Sequence, residues 1–196
     1  VLSVLGVRKC VVIDQAAMEL ELVRATINGD HHAYQRIVEL YQVPVYNLAY
    51  RMLSNAHDAE DAAQEIFLRV YTKLTTYDQS RKFSTWLFSV ASNYCIDRLR
   101  RRRPVVPLDD MAFALPSRED GPERMALRGE VQTQVQQALS RLPDHYRLVA
   151  VLRYWNDLSY QEIVTITGLT ESAVKTRLHR ARKMVADALE AQGGIQ

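Results

Sequence analysis

Ser172, Lys175, Thr176, His179, Arg180 and Lys183 fall on one side of a helical wheel drawn at about 100° per residue, with Arg177 and Arg182 on its two flanks. Hydroxyls, an imidazole and cations in one outward row suit the donor and acceptor edges of base pairs, and flanking arginines suit phosphates. The chemistry on offer is therefore recognition of duplex DNA, not the making or breaking of bonds. Val174, Leu178, Ala181 and Val185 occupy the other side and form an apolar stripe for a core. A solvated basic face on an ordinary amphipathic helix is the plain alternative, but it does not account for the signals around the helix. Ser159 and Glu162 have capping-box spacing, so each side chain satisfies backbone donors at a helix start. Gly168 stands where that first helix must end, at a position that tolerates a left-handed backbone. Thr170 then caps a second helix running to about Val185. Two helices joined by a short turn containing glycine make a helix-turn-helix.

A second set of side chains has the chemistry of a protein interface. On a helix expected from about Asp58 to Leu74, the apolar residues Ala59, Ala62, Ala63, Ile66, Phe67, Val70, Tyr71 and Leu74 follow helical spacing without a gap. Asp61, Gln64, Glu65 and Leu68 share one narrow sector of the opposite face. An apolar anchor inside an acidic, amide-bearing sector fits a docking surface, whereas a single scattered surface leucine is the competing reading. His57, Asp58, Glu60 and Asp61 invite a metal-site reading, but acids in a first helical turn are explained by the helix dipole, and no metal is expected.

A third set lies just beyond. LTTYDQSRK (residues 74–82) is a polar loop with an aromatic at Tyr77, followed by a helix with Ser84 as cap and Phe83 and Phe88 placed as a hydrophobic staple. That helix carries Trp86 and Asn93 and ends in Arg98 and Arg100 to Arg103. Aromatics beside arginines and an asparagine can stack on and hydrogen-bond unpaired bases. Trp86 reads equally as part of the core, and the arginines as a helix end satisfying its last carbonyls. Five cations within residues 98–103 nevertheless repel one another without an anionic partner.

The elements that position these groups are helices in two blocks. Of 196 residues, 47% are hydrophobic, enough for real cores, and the net charge of +2 leaves nucleic-acid contact to local clusters. Helical periodicity dominates residues 18–103 and resumes over 123–192. The intervening 104–122 holds Pro104, Pro107, Pro116, Gly121 and Pro122 among acidic residues, and reads as an extended linker. Residues 1–17, ahead of Met18, read as an extension with little role in the fold. Cys10 and Cys95 make neither a metal motif nor a disulfide framework, which suits a reducing cytosol. No apolar run reaches transmembrane length. There is no Gly-rich phosphate loop, no nucleophile with an adjacent base and no ligand spacing among His31, His32, His57, His145 and His179, so neither catalysis, a cofactor nor a small-molecule substrate is expected.

Four segments in this order carry a resemblance: DAEDAAQEIFLRVY (58–71), FSTWLFSVASNYCIDRLRRRR (83–103), LPDHYRLVAVLRYWNDLSYQEIV (142–164) and AVKTRLHRAR (173–182). Together they make the chain similar, over about residues 18–190, to the extracytoplasmic-function (ECF) group of bacterial sigma factors. The resemblance implies an all-α protein with two small helical domains, sigma region 2 and sigma region 4, joined by the linker. It implies that Asp61, Gln64, Glu65 and Leu68 dock on the β′ clamp helices of core RNA polymerase. It further implies that Tyr77, Asp78, Gln79, Ser80 and Lys82, with Trp86 and Asn93, capture a flipped base of the −10 promoter element, while Arg98 and Arg101 lie on nearby DNA backbone. Ser172, Lys175, Thr176, Arg177, His179, Arg180 and Lys183 would enter the −35 element; His179 stands where relatives often carry an aromatic or another basic residue. The polymerase β flap would hold the second domain, the linker would run toward the RNA exit path, and an anti-sigma factor would control the protein. A stand-alone helix-turn-helix regulator, binding an operator as a dimer, is the competing function. It explains Leu158–Val185 and leaves the Asp61 to Leu68 sector unexplained.

Overall fold

The computed structural model describes the backbone of residues 4–102 and 123–191, and side chains over 15–102 and 132–191. The expected linker, 104–122, lies outside the described residues. Every described regular element is helical: α1 (Val4–Ile27), α2 (His31–Leu53), α3 (Ala56–Lys73), a 3-10 turn (Leu74–Thr76), α4 (Phe83–Arg102), α5 (Glu123–Ser140), α6 (Asp144–Tyr154), α7 (Tyr160–Thr167) and α8 (Glu171–Glu190).

Local chemistry sets the boundaries. Asp30 caps α2 by accepting the His32 and Ala33 amides at 2.9 and 3.2 Å, and Asn55 caps α3 by accepting the Asp58 amide at 2.9 Å. On α3 the expected stripe is buried at Ala59, Ala62, Ile66, Phe67 and Val70. Tyr71 departs from it: the ring is 40% exposed and packs edge-on to Tyr34 at 4.8 Å. α4 also starts earlier than expected. Phe83 belongs to its first turn, the Lys82 carbonyl accepts the Trp86 amide, and Ser84 sits inside the helix. Burial explains this, since Phe83 is packed between Tyr41 and Tyr77, with ring centroids 5.7 and 5.4 Å away.

α1 runs through residue 17 without a break, so the segment read as an extension continues into the first domain. Glu19, Val23 and Thr26 on this helix are buried against α2 and α4.

The two helical blocks pack on each other, a feature not visible in the linear pattern. One continuous apolar cluster joins Ile37, Val45, Leu48, Leu87 and Phe88 of the first block to Leu152, Leu158, Ile163 and Val174 of the second. Its polar fastening is at the C-terminus of α2, where a helix leaves carbonyls without intrahelical partners. Gln136 donates its amide to the Tyr50 and Arg51 carbonyls, both at 3.3 Å, and to Ser54 Oγ at 3.0 Å. Arg147 is 6% exposed and donates to the Met52 carbonyl at 2.6 Å, and to the Ser140 and Leu142 carbonyls at 2.7 and 3.1 Å. A cation on the negative end of a helix dipole is favourable, so the second block caps a helix of the first.

Candidate polymerase and nucleic-acid interfaces

The α3 sector is displayed as its pattern predicts. Gln64 is exposed, Leu68 is 61% exposed, and Glu65 holds Arg69 at 2.8 Å along the same helix. Asp61 lies 3.4 Å from His57 Nδ1 and 3.7 Å from Arg98. An isoleucine, a phenylalanine and a valine of this helix are buried while Leu68 is not, so its exposure is a property of the face and not of a loosely packed helix.

The loop before α4 is a braced structure. Asp78 accepts from the Ser80 amide at 3.0 Å and from its hydroxyl at 2.7 Å, and Gln79 accepts from Arg24 Nε at 3.0 Å. The hydrogen bond from Ser80 is the first cause holding the Asp78 carboxyl below its usual range. Tyr77 is buried, donates its hydroxyl to the Arg81 carbonyl and packs on Trp86 with ring centroids 5.4 Å apart. Beside the loop opens a cavity of about 480 Å³ lined by Tyr77, Gln79, Ser80, Arg81, Lys82, Phe83 and Ser84 on one side and by Gln15 to Ala17, Glu19 and Leu20 of α1 on the other. The loop residues singled out in the sequence thus come together, apart from Asp78, which turns the loop without lining the cavity. Trp86 stands behind the Tyr77 ring and Asn93 is exposed further along α4; neither lines the cavity.

Gln15 and Glu19 were missed in the sequence. The available signal was Glu19 itself, a polar residue at a core position of the Glu19, Val23, Thr26 stripe.

The arginines at the end of α4 form a separate place. Arg98 pairs with Asp58 at 2.8 Å, and Arg102 also engages Asp58. The hydrogen bond from Arg102, then that from Arg98, holds the Asp58 carboxyl below its ordinary value. Arg98 therefore ties α4 to the start of α3, and part of the like-charge repulsion in the run is relieved within the protein. Arg69, whose guanidinium lies over the Tyr94 ring at 4.7 Å, joins Arg98, Arg101 and Arg102 around a second cavity of about 310 Å³.

In the second block the helix-turn-helix forms as its signals require. Ser159 donates its amide to Glu162 Oε2 at 2.8 Å and accepts the Glu162 amide at 3.3 Å; Gly168 has φ of 68°, and Thr170 accepts the Ala173 amide at 3.2 Å. α8 extends past the expected Val185 to Glu190. Val174, Leu178 and Ala181 are buried, while Ser172, Lys175, Thr176, His179, Arg180 and Lys183 are exposed and Arg177 is half-buried on the flank. Lys175 pairs with Glu171 at 2.6 Å and Arg180 reaches the Tyr146 hydroxyl at 3.2 Å. Between the blocks, Lys82 of the cavity loop donates to Glu162 at 2.9 Å. Burial pushes the Glu162 carboxyl up, but the hydrogen bonds from Ser159 and Lys82 outweigh it and leave the group below its usual range.

Residues 37–105 match the family profile Sigma-70 region 2, and residues 132–185 match Sigma-70, region 4. The chain is 39% identical over 176 residues to the ECF RNA polymerase sigma factor SigW of Bacillus subtilis (strain 168), covering 85% of this chain and 94% of that one. It is 34% identical over 180 residues to the RNA polymerase sigma-H factor of Pseudomonas aeruginosa, covering 87% of this chain and 93% of that one. Among solved structures, CnrH in complex with the cytosolic domain of CnrY is similar with a TM-score of 0.69 and 25% identity, over 89% of this chain and 98% of that one. With two helical domains in the order region 2, region 4, and with full-length relatives of that kind, the chain belongs to the ECF group of bacterial RNA polymerase sigma factors.

Proposed function

We propose that this sigma factor divides its work among three surfaces. The Asp61, Gln64, Glu65 and Leu68 sector of α3 docks on the β′ clamp helices of core RNA polymerase. The loop Tyr77 to Lys82 and the cavity behind it hold an unpaired base of the −10 element, and the exposed row of α8 reads the −35 element as duplex. Trp86 and Asn93 serve the same strand from α4, and Arg98 and Arg101 with their neighbours meet the DNA backbone near it. The β flap holds the second domain while the linker runs toward the RNA exit path. Each contact alone is weak, and tethering both domains to one polymerase raises their effective concentration on the promoter. The protein acts in the cytoplasm, and an anti-sigma factor competes for the polymerase-binding faces.

The observation that carries this reading is Leu68, 61% exposed at the centre of a polar sector on a helix whose other large apolar side chains are mostly buried. An exposed apolar anchor ringed by polar groups is what an interface needs. Leu68→Asp and Glu65→Arg test it. Both variants lose copurification with core polymerase and promoter-directed transcription in vitro, with helical content unchanged. Retention of polymerase binding by both variants overturns the assignment of this sector as the docking surface.

A further inference from the structure

The cavity beside the −10 loop has a wall that the loop does not supply. Its inner side is α1, and the deepest polar group there is Glu19, 7% exposed. One carboxylate oxygen, Oε1, accepts the Tyr41 hydroxyl at 2.7 Å and the Gln15 side-chain amide at 3.0 Å. Two donors on the same oxygen fix the plane of the carboxylate. The other oxygen, Oε2, accepts no hydrogen bond from a described residue and keeps some accessible surface, and Glu19 lines the cavity, so this oxygen is available to a donor placed there. Water meets such an acceptor in the cavity, and a ligand donor that reproduces its hydrogen bond can take that place.

The charge arrangement says what that donor is attached to. Arg81 and Lys82 line the same cavity with side chains 68% and 62% exposed, so cations lie at its outer edge and the carboxylate at its inner end. A nucleotide fits this polarity, with its phosphate outside on the cations and its base inside. The volume of about 480 Å³ falls in the range of small-ligand sites, about 300–1,000 Å³. Tyr77 and Phe83 supply apolar wall for the base. Of the functional groups that distinguish unpaired bases, the exocyclic amino groups of cytosine, adenine and guanine donate, whereas thymine has none and offers its one ring donor, N3–H, between two carbonyl oxygens that would face the carboxylate lone pairs.

We propose that Glu19 selects the base held in this cavity, admitting one with an exocyclic amino group, cytosine, adenine or guanine, and disfavouring thymine. The inference rests on the reading that the loop holds an unpaired −10 base, and it assigns the specificity of that pocket to α1.

The test uses holoenzyme with wild-type protein, Glu19→Gln or Lys82→Ala. Single-stranded oligonucleotides of the non-template −10 region carry, position by position, adenine against unsubstituted purine and guanine against hypoxanthine, pairs that differ only by the amino group, and cytosine against uracil, in which an oxo group replaces it. At one position wild-type holoenzyme binds the amino-bearing base about tenfold more tightly than its counterpart, and Glu19→Gln, whose amide turns to accept or donate, shrinks that gap to roughly twofold. Binding to a −35 duplex reports that the variant is folded. A gap of the same size in Glu19→Gln, or no gap at any position in the wild type, overturns the assignment of Glu19, provided Lys82→Ala still weakens oligonucleotide binding. If Lys82→Ala also binds as tightly as wild type, the pocket reading itself fails and the inference falls with it.

Discussion

The two surfaces proposed to meet DNA are built in opposite ways. α8 is convex: its buried side is a simple apolar stripe, and its exposed row carries separate donors along one helix face. The −10 surface is concave: a short loop is braced by Asp78, by the Arg24–Gln79 hydrogen bond and by the Tyr77 hydroxyl, and a second helix closes the back. The difference follows the ligand. Base edges in a duplex lie at the floor of a groove and are reached by something that protrudes. A base that has left the stack has two faces and an edge to satisfy, and is held by something that encloses. The α3 sector proposed to dock on polymerase belongs to neither type, being a polar helix face with one apolar anchor.

Several substitutions sharpen or break this contrast. The largest effect is expected where the two surfaces share a scaffold. Arg147→Ala removes a buried cation from three carbonyls, including the Met52 carbonyl of the other domain, and should lower the free energy of urea unfolding by about 3–5 kcal/mol. A loss under about 1 kcal/mol would mean that the domains carry their surfaces independently.

Next is the convex surface. Arg180→Ala should weaken holoenzyme binding to a −35 duplex by about tenfold and leave binding to a −10 single strand unchanged. Equal weakening on both probes would remove the distinction between the two surfaces.

Gly168→Ala addresses the turn that aims α8. With φ at 68° and no atom within 4 Å of an added Cβ, the cost is conformational, about 1–2 kcal/mol in thermal or urea unfolding. A neutral result would show that the hinge relaxes without strain.

The smallest effect concerns acid. Asp58 is held below its ordinary value of 3.8 by Arg102 and Arg98, so its contribution to stability is complete above that value and is lost as pH falls through the lower, folded-state value. Denaturation followed from about pH 5 to pH 3 should show a decline that is shallower in Asp58→Asn than in wild type. Equal slopes would show that the pairs do not couple α4 to α3.

Much of the convex surface was legible in the sequence, because everything it needs is local. A capping box, a left-handed glycine and a second cap lie within twelve residues of one another, and an amphipathic pattern then orients the row on α8. The α3 sector was legible for the same reason, with Asn55 and the buried stripe defining which side faces out. The concave site was only half legible. Tyr77 to Lys82 stood out as a polar loop with an aromatic, but the α1 residues that complete the cavity lie some sixty residues earlier, and the place of Glu19 on the buried stripe of α1 says nothing of the loop it faces until Tyr41 is placed beside it. Arg98 was half legible for the same reason. Its place in a basic run suggested DNA, while its nearest partner, Asp58, lies forty residues away in sequence. The capping of α2 by Gln136 and Arg147 spans more than eighty residues and leaves no periodic trace at all.

The central claim is that one surface reads duplex and the other traps a single strand. It is tested most directly by measuring holoenzyme affinity for a −35 duplex and for a −10 non-template single strand, side by side, with Lys175→Ala/Arg180→Ala and with Gln79→Ala/Lys82→Ala. The account predicts that each double variant loses at least about tenfold on its own probe and stays near wild type on the other. Comparable losses on both probes from either double variant would contradict it.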